Sequence, residues 1–184
     1  MSVPAAPRFT YDDYAVFPED RRYEVIDGAL FVTPAPTPFH QVVKGRIKRV
    51  LEEFIESRGL GTVLDAPCDV VLSPNDVFQP DVLYVSTAQR AIIGENFIAG
   101  APDLVVEVLS PSTQSRDRIA KVRRYATFGV REMWLADPVA KTIEVLVNEI
   151  DGPRQHDLFG KGDTVRSIVL PELTFPVAPI FWPI

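Results

Sequence analysis

Apolar positions recur along this chain at two periods, and the switches between them divide it into elements. Phe39, Val43, Ile47, Val50 and Phe54 follow one another at helical spacing, which predicts a long amphipathic helix with one core face. Thr37 suits its cap and Pro38 its first position, where a missing N–H does no harm. Gly59 closes it near Arg58. Before it, Arg22 to Val32 carries Asp27-Gly28 between two β-rich arms, a hairpin signal that sets Glu24 on the opposite strand face from Tyr23 and Val25. Thr10, followed by Asp12 and Asp13, predicts a short capped helix that ends by Pro18.

After the long helix the period shortens. Strands are expected at about 62–64 and 69–72, a turn at Ser73-Pro74-Asn75-Asp76, and a β-rich run over Val77–Val85 in which Pro80 marks a strand start or an edge. A connection with a short helix near 88–93 leads to the run Leu104-Val105-Val106-Glu107-Val108-Leu109, which reads as a buried strand. The turn Ser110-Pro111-Ser112 opens a helix expected over about 113–128 and capped by Gly129. Strands follow at 131–136 and 142–147, joined through Asp137-Pro138, with a last strand at 164–169. The order predicts an α/β (α+β) fold, a mixed central sheet flanked by helices behind an N-terminal hairpin.

Composition narrows the function. At 184 residues the chain is expected to form a single domain, with residues 1–8 loosely held. It has no apolar run of bilayer length, so no membrane role is expected, and its N-terminus lacks the basic and apolar regions of a signal peptide. One cysteine, Cys68, and two histidines cannot make an internal disulfide or a standard zinc site, and they suit a cytoplasmic protein. A net charge of −6 argues against holding nucleic acid by bulk positive charge. A local basic patch is compatible with it. Lys44, Arg46, Lys48 and Arg49 form one cluster, and Arg116, Arg118, Lys121, Arg123 and Arg124 another.

The chemistry starts from an anomaly. Glu107 lies inside an apolar strand, where a carboxylate is costly unless paired or coordinated. Asp81 begins another strand. If the two strands are neighbours, both acids point into one cleft, and hard oxygen donors on a rigid sheet suit Mg²⁺ or Mn²⁺. The Val108 carbonyl is a further candidate ligand. Asp117, Lys121 and Tyr125 lie four apart on the next helix, beside a packing face of Ile119, Val122 and Ala126. Lys121 is thereby a candidate to orient water and stabilise developing charge. Plainer readings compete. Asp81 suits a strand start satisfied by backbone N–H groups, Glu107 a buried ion pair with an arginine, Lys121 an i,i+4 pair with Asp117, and Tyr125 a core-edge aromatic. Gln79 is a candidate to orient a group in the cleft, and His40 to bond locally or touch a phosphate.

Taken together, Pro80-Asp81, Glu107-Val-Leu-Ser-Pro-Ser-Thr113, Asp117, Lys121, Tyr125, Gly129-Val130, Glu132, Trp134 and Asp137-Pro138 resemble the Uma-two family of restriction endonucleases. Tyr23-Glu24-Val-Ile-Asp-Gly28 and His40 match its N-terminal pattern, and the likeness spans about residues 10–148. The resemblance implies a PD-(D/E)XK nuclease-like fold and Mg²⁺-dependent cleavage of DNA phosphodiesters. It implies Asp81 and Glu107 as metal ligands and Glu24 as an auxiliary acid. The wider superfamily places a lysine two residues after the glutamate, where this chain has Leu109. The resemblance therefore implies that Lys121 supplies the amine. A homodimer is expected, since two antiparallel strands suit two-fold symmetry. Two rival functions stand beside the nuclease: a nuclease-fold module that binds nucleic acid or protein without cutting, and a metal-dependent phosphohydrolase of small substrates.

Overall fold

The computed structural model describes residues 8–18, 21–110 and 117–183, with residues 117 and 118 described for backbone only. A short helix α1 (Tyr11–Tyr14) is closed by a reciprocal cap, in which the Thr10 side chain accepts from Asp13 N and the Asp13 side chain accepts from Thr10 N. Strands β1 (Arg22–Ile26) and β2 (Ala29–Thr33) form the expected hairpin. Asp27 and Gly28 both have positive φ, 50° and 78°, as a two-residue turn that matches strand twist requires.

Helix α2 (Pro38–Glu56) starts at the Thr37 cap, which accepts a bond from His40 N. Its buried stripe is Val43, Ile47, Leu51 and Ile55, while Phe39, Val50 and Phe54 flank it. There follow β3 (Gly61–Asp65), β4 (Val70–Ser73), β5 (Asp76–Phe78) and β6 (Val82–Ser86). The run expected over 77–85 is thus two strands. Gln79-Pro80-Asp81 interrupts it, since proline cannot donate to a ladder. A 3₁₀ turn (Thr87–Ile92), β7 (Ile98–Ala99) and β8 (Leu104–Val108) come next.

The helix expected over 113–128 differs in form. Residues 111–116 lie outside those described. Asp117–Lys121 is a π-helical turn, and Val122–Thr127 is the short helix α3. A π turn is closed by i→i+5 bonds and so takes in one residue more than an α turn, which shifts the phase of the side chains before it relative to those after it. The inward face is therefore Lys121, Val122, Tyr125 and Ala126, whereas Ile119, expected to pack, is about half exposed. Strands β9 (Glu132–Asp137) and β10 (Thr142–Glu149) are followed by β11 (Gly152–Phe159), absent from the sequence-based reading. The strand expected over 164–169 is the shorter β12 (Thr164–Arg166), and it pairs with β13 (Thr174–Pro176).

Six strands form the central sheet in the order β11-β10-β9-β8-β6-β3; five form a second sheet, β2-β1-β5-β4-β7. The parallel β8–β9 pair makes the central sheet mixed. One face is covered by α2 and the C-terminal segment, with Trp134, Phe175 and Phe181 in its core. The other is covered by α3 and the second sheet, with Phe78, Tyr125 and Met133 between them. Residues 79–81 cross from one sheet to the other. No helix among the described residues is long and apolar enough to cross a membrane.

Candidate functional site

The site forms where the layers meet. Strands β6 and β8 are antiparallel neighbours with Val82 opposite Val106, so one further step of the register sets Asp81 across from Glu107. Alternation along β8 directs Leu104 and Val106 to the α2 side and Val105 and Leu109 to the α3 side. Glu107 falls in the second set. It is 5% exposed and Asp81 is 7% exposed. The Val108 N–H donates to Asp81 Oδ2 at 2.8 Å, which fixes one acid to the strand that carries the other.

The remaining groups arrive from three separate elements. Glu24 on β1 is 1% exposed; its Oε1 accepts from Gln79 N at 3.1 Å. Lys121, at the end of the π turn, places Nζ 2.8 Å from Glu24 Oε1 and 3.0 Å from Glu107 Oε1. Tyr125, one turn on in α3, donates its hydroxyl to Glu107 Oε1 at 2.7 Å. His40, in the first turn of α2, sets Nε2 3.2 Å from Asp81 Oδ2, and its Nδ1 is buried with no hydrogen-bond partner. Leu109 is in the core, on the strand face shared with Glu107.

The structure therefore brings together Glu24, Asp81, Glu107, Lys121, Tyr125, His40 and the backbone of Gln79 and Val108. Among the described residues Glu107 pairs with a lysine, Lys121, and the side chains of Arg116 and Arg118 lie outside them. The Asp117 side chain, and with it the i,i+4 alternative for Lys121, lies outside the described residues. The Gln79 side chain turns away from the acids. Its Nε2 donates to Asp69 Oδ1 and to the Tyr14 hydroxyl, at 2.8 and 3.0 Å. Tyr14 donates in turn to Asp69 at 2.7 Å. Burial and the hydrogen bond to Asp69 push the Tyr14 phenol well above its ordinary pKa, so it stays a donor.

Of the basic residues expected to meet DNA, Lys44, Arg46, Lys48 and Arg124 are committed elsewhere, Arg49 and Arg123 are exposed, and the side chains of Arg116 and Arg118 lie outside those described. Lys44 and Lys48 both pair with Asp65. Burial pushes the Asp65 carboxyl up, but the two ammonium groups outweigh it and hold the pKa below its usual value. Arg46 binds the carbonyls of Ile180 and Trp182 and so pins the C-terminal segment. Arg124 makes a two-point bond to Asp76.

The donor set fits a hard divalent cation. Two carboxylates and a carbonyl are all oxygen donors, and hydrogen bonds from Val108 N and the Tyr125 hydroxyl hold the acids in place. Among the described residues no group of three or more His, Cys, Asp or Glu is placed to hold a metal. A site of two acids leaves the other positions to water and substrate oxygens, as Mg²⁺ prefers.

Comparison with known proteins agrees with the architecture. A crystal structure of "a putative nuclease belonging to DUF820" from Anabaena variabilis ATCC 29413 superposes with a TM-score of 0.79 at 19% identity, covering 94% of this chain and 97% of that one. At that identity the likeness establishes the fold. Curated proteins show no match to the chain. The model of the family Uma2, described as "Putative restriction endonuclease", matches residues 10–178. That span takes in the acids, Lys121 and every strand of the central sheet, and the chain belongs to the Uma2 family of nucleases.

Proposed function

We propose that this protein is a Mg²⁺- or Mn²⁺-dependent DNA endonuclease of the PD-(D/E)XK type, with its lysine moved from the strand to the following helix. The observation that carries the reading is the position of Lys121. It comes from a separate element, yet its ammonium lies against Glu107 while Leu109 occupies the strand position next along that face. Asp81, Glu107 and the Val108 carbonyl hold the cation. Once bound, the cation lowers the pKa of water and neutralises charge on a phosphate. Glu24 holds Lys121 from the far side, and Tyr125 fixes the rotamer of Glu107. The Lys121 ammonium orients the attacking water and stabilises charge that develops on the phosphate oxygens. Two such sites related by a two-fold axis would cut both strands of a duplex.

The test is cleavage of supercoiled plasmid and single-stranded DNA with Mg²⁺ or Mn²⁺ by the wild type, Asp81→Asn and Lys121→Met. Metal-dependent cutting by the wild type, lost in both variants, supports the reading. Cutting that survives both variants refutes this site. Hydrolysis of nucleotides without cleavage of DNA selects the small-substrate phosphohydrolase. Metal binding with neither activity selects the non-cutting nuclease-fold module.

A further inference from the structure

We propose that Arg22 is a substrate-binding residue of this site, gripping a backbone phosphate beside the phosphodiester that is cut. The inference rests on the nuclease reading. It begins from a charge that the fold leaves uncancelled. The buried or half-buried cations among the described residues are Arg22, Lys44, Arg46, Lys48, Lys121 and Arg124. Lys44, Lys48, Lys121 and Arg124 each meet a carboxylate. Arg46 is spent on the C-terminal carbonyls. Arg22 meets no carboxylate among the described residues: its bonds run from Nε to Gln79 Oε1 at 2.9 Å and from Nη2 to the Gln79 carbonyl at 3.3 Å. A partly desolvated guanidinium held only by neutral oxygens favours an anion at its remaining donors.

Its position fits a phosphate next to the reacting one. Arg22 and Glu24 are two apart on β1 and share a strand face, running from the half-buried Arg22 to the buried Glu24. Gln79, which holds Arg22, also donates its backbone N–H to Glu24 and lies two residues before Asp81. One short crossing between the sheets thus anchors the guanidinium and carries a metal-binding acid. The anchor is rigid, because Asp69 and Tyr14 lock the Gln79 amide from behind. A guanidinium held in one orientation loses little entropy when it meets a phosphate. Lys121 is engaged by two acids, and Lys44, Lys48 and Arg124 are each paired with an aspartate. Among the described buried or half-buried cations, Arg22 is the one beside the site with no carboxylate partner.

The experiment is a salt series of binding by fluorescence anisotropy, without divalent ions so that nothing is cut. It uses a labelled duplex and its single strand, with Mn²⁺ affinity read separately by calorimetry. Arg22→Gln should bind about tenfold more weakly than wild type, the loss of one charged hydrogen-bonded contact. Its slope of log affinity against log salt should be shallower by about 0.7–0.9, the value of one phosphate. Arg22→Lys should keep the slope, and both variants should bind Mn²⁺ as the wild type does. An Arg22→Gln slope equal to wild type overturns the proposal. So does a loss of Mn²⁺ affinity in that variant, since Arg22 would then only support Glu24. If the wild type binds and cuts DNA while Arg22→Gln is unchanged, the Arg22 assignment alone fails. If the wild type binds neither strand form, the nuclease reading fails with it.

Discussion

Lys121→Met tests the energetics of the site without reference to catalysis. The change removes an ammonium from a residue 3% exposed and keeps most of its volume. Two buried carboxylates, Glu24 and Glu107, then lose the ammonium that both contact. Gln79 N still bonds the first and Tyr125 the second, but a neutral hydrogen bond does not replace a positive charge shared by two acids at close range. Breaking a buried pair in this way costs about 3–5 kcal/mol, a large share of the ~5–15 kcal/mol that holds a domain folded. With a urea slope of roughly 2 kcal/mol per molar, the unfolding midpoint should fall by about 1.5–2.5 M at pH 7. Adding Glu24→Gln to Lys121→Met removes one of the stranded charges. The double variant should therefore recover stability relative to Lys121→Met, with a coupling on the order of 2 kcal/mol. A midpoint within ~0.5 M of wild type for Lys121→Met, or additive effects of the two changes, would refute the claim that Lys121 is held by charge.

Other outcomes follow from the packing around the site. Glu132 is fully buried and accepts from Trp134 Nε1, Ser167 Oγ and the N–H groups of Ile168 and Val169. Glu132→Ala should cost on the order of 3 kcal/mol, and hydrogen exchange should show the amides of 168–169 losing protection first. Burial pushes the Asp76 carboxyl up, but bonds from Arg124, Ser73 and Asp27 N outweigh it and leave the pKa below its ordinary value. Its contribution to stability is then present above the unfolded pKa, near 3.8, and lost as pH falls through the lower folded value. Acid titration of the melting temperature should accordingly show a shallower decline below pH 4 for Asp76→Asn than for wild type. A Cβ at Gly61 would come 2.2 Å from the Val85 carbonyl oxygen. Gly61→Ala should therefore lower the melting temperature by several degrees, read by calorimetry, through a parting of β3 from β6.

Where apolar period and turn chemistry coincide, the fold is legible from sequence. The Asp27-Gly28 hairpin and the Thr37-capped helix α2 are of this kind, because their local preferences agree with their final burial. Strand β11 was invisible for the opposite reason. Gly152-Pro153-Arg154-Gln155-His156-Asp157 is an exposed sheet edge with no apolar alternation to betray it. Pro80 marked the break within residues 77–85, but nothing local states that the two halves join different sheets. Glu107 stood out as a charge within a core strand. Lys121 was legible as a candidate beside the packed face, but that Glu24 and Glu107 both meet its ammonium was not, because no local pattern states which strand lies opposite it. The basic stretch around 44–49 offered candidates for a nucleic-acid surface, yet Asp65 takes up Lys44 and Lys48 and the C-terminal carbonyls take up Arg46. Arg22 gave no signal, because an arginine at the start of a hairpin resembles any solvated strand end. The cue available was its two-residue spacing from Glu24.

The account turns on Asp81 and Glu107 forming one divalent-metal site. Titration of Mn²⁺ into the protein, followed by electron paramagnetic resonance of the free ion, reads that site with no substrate present. The account predicts saturable binding by the wild type and at least tenfold weaker binding, about 1.4 kcal/mol or more, in both Asp81→Asn and Glu107→Gln. Binding that is absent in the wild type, or that survives both substitutions unchanged, would contradict it.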